Sequence, residues 1–264
     1  MLPDDPFLNH LKEYRTPPGR ENWLARRFPR LVFYPLLWKY VAEGAYAAVR
    51  GRYDNEAWAM SSFQVLRALE YVGCRLHVEG LDHITELQGP CVFVGNHMSA
   101  LETIILPGLI VPRKPVTFVV KRSLTTMFAF GHIMRSRDPV VVDRKNPRDD
   151  LAVMLAGCED RLAKGISMVV FPQATRSVHF DREQFNSIGV KLAKRNNVPL
   201  IPLALKTDAW GCGDRGALKD FGKISPELPV RIRFGKALRV EGNGKEEQEH
   251  VCRFIEDALA EWRM

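Results

Sequence analysis

Two clusters of polar residues in this 264-residue chain interrupt apolar runs in a way that chemistry can use. The first is GNHMSALE, Gly95 to Glu102, where a histidine follows the apolar run CVFVG and a carboxylate follows the histidine five positions on. A neutral imidazole, with an ordinary pKa of about 6.5, accepts a proton near neutral pH. A carboxylate on its other ring nitrogen fixes the tautomer and stabilises the imidazolium as it forms, so the pair would make a general base. Five positions along an α-helix leave two residues about 140° apart, so His97 and Glu102 cannot share one helix face. They meet only if His97 precedes a helix and Glu102 lies in its first turns. A strand through CVFVG, a bend at Asn96 and His97, and a helix through Ser99 to Leu106 meet that condition and put the bend at a strand end, where open α/β sheets gather ligand-contacting groups. Taken alone, the spacing is more commonly that of a capping or core histidine.

The second cluster is FPQATRS, Phe171 to Ser177, directly after the strand-like SMVV. Thr175, Arg176 and Ser177 offer a guanidinium and two hydroxyls, which suits recognition of a phosphate or carboxylate. The plain alternative is a surface turn with a solvated arginine. VVKRSL, Val119 to Leu124, and PVVVDR, Pro139 to Arg144, each put a cation beside an apolar strand. Lys121 and Arg144 are therefore candidates to join Arg176 around one anion, although solvent-facing strand ends are the commoner use of such residues. No P-loop, nucleophile-elbow or zinc-peptidase motif occurs. GCGDRG, Gly211 to Gly216, has the spacing of a dinucleotide fingerprint but lacks the strand-to-helix setting, and reads as a loop. The acid-base pair has no obvious protein nucleophile beside it, which points to a base that activates a substrate's own hydroxyl or amine.

The elements that must position these groups are legible as alternation. From Cys74 onward, CRLHVEG, CVFVG, VTFVV, PVVVD, SMVVF, PLIPLAL and VRIRFG are short apolar runs, with helical lengths at Leu151 to Lys164, at Phe185 to Asn196 and at the C-terminus. The pattern predicts an α/β fold with a mixed, mostly parallel sheet flanked by helices. Before it, helices are expected through Leu37 to Val49 and through Glu56 to Val72. Two segments result: a helical, basic and aromatic one at 1–73 and an α/β domain at 74–264.

Net charge is +7, which favours anionic partners: a membrane surface, phosphorylated substrates or nucleic acid. The acidic start MLPDDPFLNHLKEYR is unlike a signal peptide, and Leu31 to Val49 is broken by Pro35, Lys39 and Glu43, so a spanning helix is not expected. Arg26, Arg27 and Arg30 beside Phe33, Tyr34, Leu37 and Trp38 instead have the composition of an interfacial anchor, or of a helical pair packed on the domain. Five scattered cysteines without metal-ligand spacing read as reduced thiols, and no metal is implied.

NHMSALE, the stretch from KRSL to VVVDR, FPQATRS and VPLIP, in this order, resemble the four signature blocks of the glycerolipid acyltransferase family typified by 1-acylglycerol-3-phosphate acyltransferase. The resemblance covers roughly Cys74 to Phe234. It implies that His97 is the general base, that Glu102 stands where the family has aspartate, and that Arg144 and Arg176, with Lys121 assisting, contact the acceptor's polar head. Asn96, Gln173, Thr175 and Ser177 belong to the same blocks. The implied reaction is direct attack of a lysophospholipid hydroxyl on the thioester of acyl-CoA or acyl carrier protein, with no other cofactor, at the cytoplasmic face of a membrane. Gln173 and Ala174 depart from the family's Glu-Gly pair, which favours a different head group, such as that of an amino-acid lysolipid, as the alternative. A non-catalytic membrane-binding relative and a nucleic-acid binder are the readings from other classes.

Overall fold

The computed structural model describes residues 10–173, 175–211 and 221–263. Its strands are β1 (Glu13–Arg15), β2 (Leu76–Glu79), β3 (Val92–Gly95), β4 (Val116–Lys121), β5 (Val140–Val142), β6 (Ser167–Val170), β7 (Leu200–Lys206) and β8 (Val230–Phe234). They form one sheet in the order β1-β2-β8-β7-β3-β6-β4-β5. The block from β7 to β5 is parallel throughout. β8 is antiparallel to β7 and parallel to β2, while β1 closes the edge antiparallel to β2. The mixed, mostly parallel α/β architecture expected from the alternation is therefore present.

The apolar runs are continuous because both faces of the sheet are covered. Successive side chains on a strand point to opposite faces. In β3, Phe93 joins the core shared with α3 (Asn55–Tyr71) and α5 (Leu101–Ile110), while Val92 and Val94 join the core shared with α8 (Pro147–Ala163), α9 (Ile188–Arg195) and α10 (Lys245–Glu261). Gly95 ends β3 where a Cβ would sit 2.7 Å from the carbonyl oxygen of Leu203. Only glycine lets the two backbones approach that closely at the mouth of the site.

Three features differ from the sequence reading. α2 spans Pro29–Val49 and runs straight through Pro35. Phe33 and Leu37 on either side of it are buried, and the carbonyl of Leu31 that loses its helical partner lies on the outward face, where water can bond to it. α5 likewise continues through Pro107 to Ile110 rather than stopping at Leu106. β1 was not legible at all. Its Tyr14 is buried by hydrogen bonding to Glu70 of α3, which Thr16 (2.8 Å) and Arg67 (2.6 Å) also reach. The first 73 residues thus contribute an edge strand and the core-facing α3, beside the short α1 (Trp23–Arg27) and α2.

Candidate active site

The parallel strands deliver their C-terminal ends to one edge of the sheet, and the polar blocks follow those ends. After β3 the chain turns at Asn96, whose side-chain amide donates to the Leu205 carbonyl at 2.8 Å and accepts from the Leu205 N–H at 2.9 Å. Asn96 thereby mimics one more ladder residue between β3 and β7 and fixes where His97 emerges. The backbone of His97 is held from the other side: its N–H donates to Gln173 Oε1 at 2.7 Å, and its carbonyl accepts from the Ser177 N–H at 2.9 Å.

His97 Nδ1 lies 2.6 Å from Glu102 Oε2. The histidine side chain is 18% exposed and the glutamate fully buried. A carboxylate only accepts, so the ring hydrogen is on Nδ1 and the lone pair on Nε2 is left for a substrate. Glu102 Oε1 accepts from the N–H groups of Met98 and Ser99, each at 2.8 Å, and from the hydroxyl of Thr207 at 2.5 Å. All four contacts use the side chain as an acceptor, as a buried carboxylate requires. Ser99 Oγ accepts from the Leu101 N–H at 3.1 Å while the Ser99 N–H donates to Glu102, so the two side chains also serve N–H groups at the start of α5. The turn into α5 and the pairing are one arrangement here, because the carboxylate that takes the Met98 and Ser99 N–H groups also orients the imidazole. Phe171 stacks on the imidazole, with ring centroids 4.4 Å apart and planes 8° from parallel, and its π face favours a positive ring.

The other expected residues lie along the same edge. Arg176 sits between Gln173 and Ser177, both bonded to the backbone of His97, and is half-buried, while Thr175 is exposed. The Ser177 hydroxyl donates to the His179 carbonyl within its own turn, at 2.7 Å. Lys121, at the end of β4, and Arg144, two residues past β5 with φ 58°, are both exposed. β4 and β5 lie two and three strands from β3, which at strand spacing puts them about 10 and 15 Å along the edge from His97. Gln173 is buried, and its oxygen is committed to the His97 backbone. That contact needs an acceptor, which a neutral glutamine supplies. Ala174 and most of GCGDRG lie outside the described residues.

Sequence reasoning missed Thr207 and Phe171 as parts of the site. Phe171 stood in the quoted motif without a role. Thr207 is a polar residue directly after an apolar strand, the same signal that singled out Asn96 and His97, but the run before it was read only as core. Cys74, Cys91, Cys158 and Cys252 are buried and unpaired with one another. Among the described residues no cluster of three metal-ligating side chains occurs.

Known proteins match this chain in sequence and in fold. The family model described as Acyltransferase matches residues 75–206, half of the chain. The 1-acyl-sn-glycerol-3-phosphate acyltransferase of Pseudomonas aeruginosa is 28% identical over 195 residues, covering 74% of this chain and 70% of the relative. A probable 1-acyl-sn-glycerol-3-phosphate acyltransferase of Mycoplasma genitalium is 29% identical over 56% of each chain. The crystal structure of the 1-acyl-sn-glycerophosphate acyltransferase of Thermotoga maritima superposes with a TM-score of 0.68 at 18% identity, over 91% of this chain and 97% of that one, a likeness of fold. On the family match, this chain belongs to the Acyltransferase family and is an O-acyltransferase.

Proposed function

We propose that the chain transfers a fatty acyl group from acyl-CoA or acyl carrier protein to the free hydroxyl of 1-acylglycerol-3-phosphate, with His97 as the base. The observation that carries this is the dyad itself: Nδ1 is held by a buried carboxylate, so Nε2 is the accepting nitrogen. In the reaction, Nε2 takes the acceptor's hydroxyl proton as its oxygen attacks the thioester carbonyl. The tetrahedral adduct collapses, the carbon–sulfur bond breaks, and the proton passes from Nε2 to the leaving thiolate. No acyl-enzyme is needed. Glu102 keeps the ring in register and stabilises its positive form between the two transfers. Arg176, with Lys121 and Arg144 farther along the edge, supplies positive charge for the acceptor's phosphate. The printed names of the Pseudomonas and Mycoplasma relatives support the same acceptor.

A lipid acceptor also calls for a way to reach a bilayer. Among the described residues no helix is long and apolar enough to cross one. The outward face of α2 nevertheless carries Leu31, Trp38, Tyr46 and Val49, all exposed, within an arc of about 80° by helical spacing. Trp23, Leu24 and Phe28 extend this apolar surface, and the exposed Arg26, Arg27 and Arg30 flank it. Such a face suits a helix lying in the headgroup region at the cytoplasmic side of a membrane.

The test is detergent-purified protein incubated with labelled acyl-CoA or acyl carrier protein and a panel of lysolipids that differ in head group. Wild type should convert 1-acylglycerol-3-phosphate to the diacyl product, and His97→Ala should fall by about 10²–10⁴-fold. Equal rates for the two proteins would leave a membrane-binding relative without chemistry. Preference for another lysolipid would replace the acceptor named here.

A further inference from the structure

We infer that Thr207 is a positioning residue of the reaction, setting the proton affinity of His97 through Glu102; the inference rests on the dyad reading above. Thr207 follows β7 and is fully buried. Its hydroxyl is 2.5 Å from Glu102 Oε1 and 3.0 Å from Ser99 Oγ. Because a carboxylate cannot donate, the direction of both bonds is fixed: Thr207 gives its only hydrogen to Glu102 and accepts that of Ser99. Ser99 in turn accepts from the Leu101 N–H at 3.1 Å. The result is a directed chain from the start of α5, through two hydroxyls, to the carboxylate that holds the imidazole, and such chains strengthen each member bond.

The register of Thr207 is set independently of its hydroxyl. The two Asn96–Leu205 bonds lie just before it, its N–H points to Met98 Sδ at 3.3 Å, and its carbonyl accepts from the Trp210 N–H at 3.1 Å. The side chain is thus free to serve the carboxylate. A donor that shares the negative charge of Glu102 weakens its hold on the imidazolium. The other charges facing this chain are few. Lys206 and Asp208 flank Thr207 but pair with each other at 2.7 Å. Arg176 and His179 lie on the loop after β6, and on α5 the only ionisable group is Glu102.

The experiment measures kcat and KM for acyl transfer to 1-acylglycerol-3-phosphate across pH in wild type, Thr207→Val, Thr207→Ser and Ser99→Ala, with thermal melting of each. Without the hydroxyl, Glu102 grips the proton on His97 more strongly. In Thr207→Val the acid limb of kcat/KM should therefore move up by on the order of one pH unit. kcat at its plateau should drop about tenfold while KM for both substrates stays. Thr207→Ser should restore the wild-type profile. Ser99→Ala, one bond farther back, should shift the limb the same way by less, and it supplies the measurement if the valine variant does not fold. A limb that stays in place in both Thr207→Val and Ser99→Ala, or a serine variant as impaired as the valine one, overturns the inference. A wild-type rate with no acid limb, or one unaffected by His97→Ala, would instead remove the dyad reading beneath it.

Discussion

Glu102→Gln separates the chemical role of the dyad from its structural one. Glu102 Oε1 receives three donors, from Met98, Ser99 and Thr207, whereas Oε2 receives only His97. A glutamine of the same length keeps the crowded position by placing its carbonyl oxygen there, because turning the amide the other way would set its NH₂ against three donors. The amide nitrogen then faces the imidazole. Nδ1 must become an acceptor, the ring hydrogen moves to Nε2, and the nitrogen that should take the substrate's proton is already protonated. The fold should survive, since the N–H groups at the start of α5 keep their acceptors. The rate should fall by about 10³-fold, within the span that a positioned base supplies and about tenfold less than the loss when the acid of a catalytic triad is made an amide. That ratio corresponds to about 4 kcal/mol of transition-state stabilisation. Initial rates of labelled acyl transfer measure the loss, circular dichroism checks the fold, and nitrogen NMR of labelled histidine reports the tautomer. Activity within about threefold of wild type in a folded Glu102→Gln protein, at any reading of the tautomer, would refute the reasoning.

Asn96→Ala removes both side-chain bonds to Leu205 and leaves a buried N–H and a buried carbonyl without partners. Unfolding free energy, from denaturant titration, should drop by about 2–4 kcal/mol, and a fall under 1 kcal/mol would mean that water takes both places. Burial pushes the thiols of Cys74 and Cys158 up to about 12 and that of Cys91 up to about 11. These three should resist iodoacetamide at about pH 8 in the native protein and react once it is unfolded, as read by peptide mass spectrometry. Since the folded chain keeps protons that the unfolded chain releases above about pH 8.5, their contribution to stability is complete below that pH and is lost as pH rises towards 12.

Elements buried on both faces were legible in the sequence because burial writes itself as an unbroken apolar run. VFV, MVV and LIPLAL all became strands of the parallel block. The dyad was legible because both of its members fall within one turn of chain at a strand end. Thr207 escaped because its partner lies 105 positions away, and nothing local in LALKTD marks a hydroxyl that serves another strand's loop. β1 escaped for the same reason: three residues carry no period, the strand they pair with is β2, where Tyr14 faces Val78, and the side-chain bond that seats Tyr14 is to Glu70, 56 positions on. Pro35 misled because a helix rule was applied to a residue whose lost hydrogen bond faces solvent. The use of Gln173 as an acceptor for the His97 N–H was hidden because its partner lies 76 positions away.

The helix that bears the outward apolar stripe is not on a tether. Phe33 and Tyr34 of α2 meet the ring of Trp210 edge-on at 5.1 and 5.9 Å. The Tyr34 hydroxyl donates to the Gly222 carbonyl at 2.6 Å, and Trp210 is itself bonded through its N–H to Thr207. The α2 face and the loop after β7 thus share one post, so if that face meets a bilayer as proposed, the imidazole stands at a fixed height above it. Under the proposed function, a lipid acceptor would then have to bring its glycerol to the imidazole, because the imidazole could not descend to the leaflet.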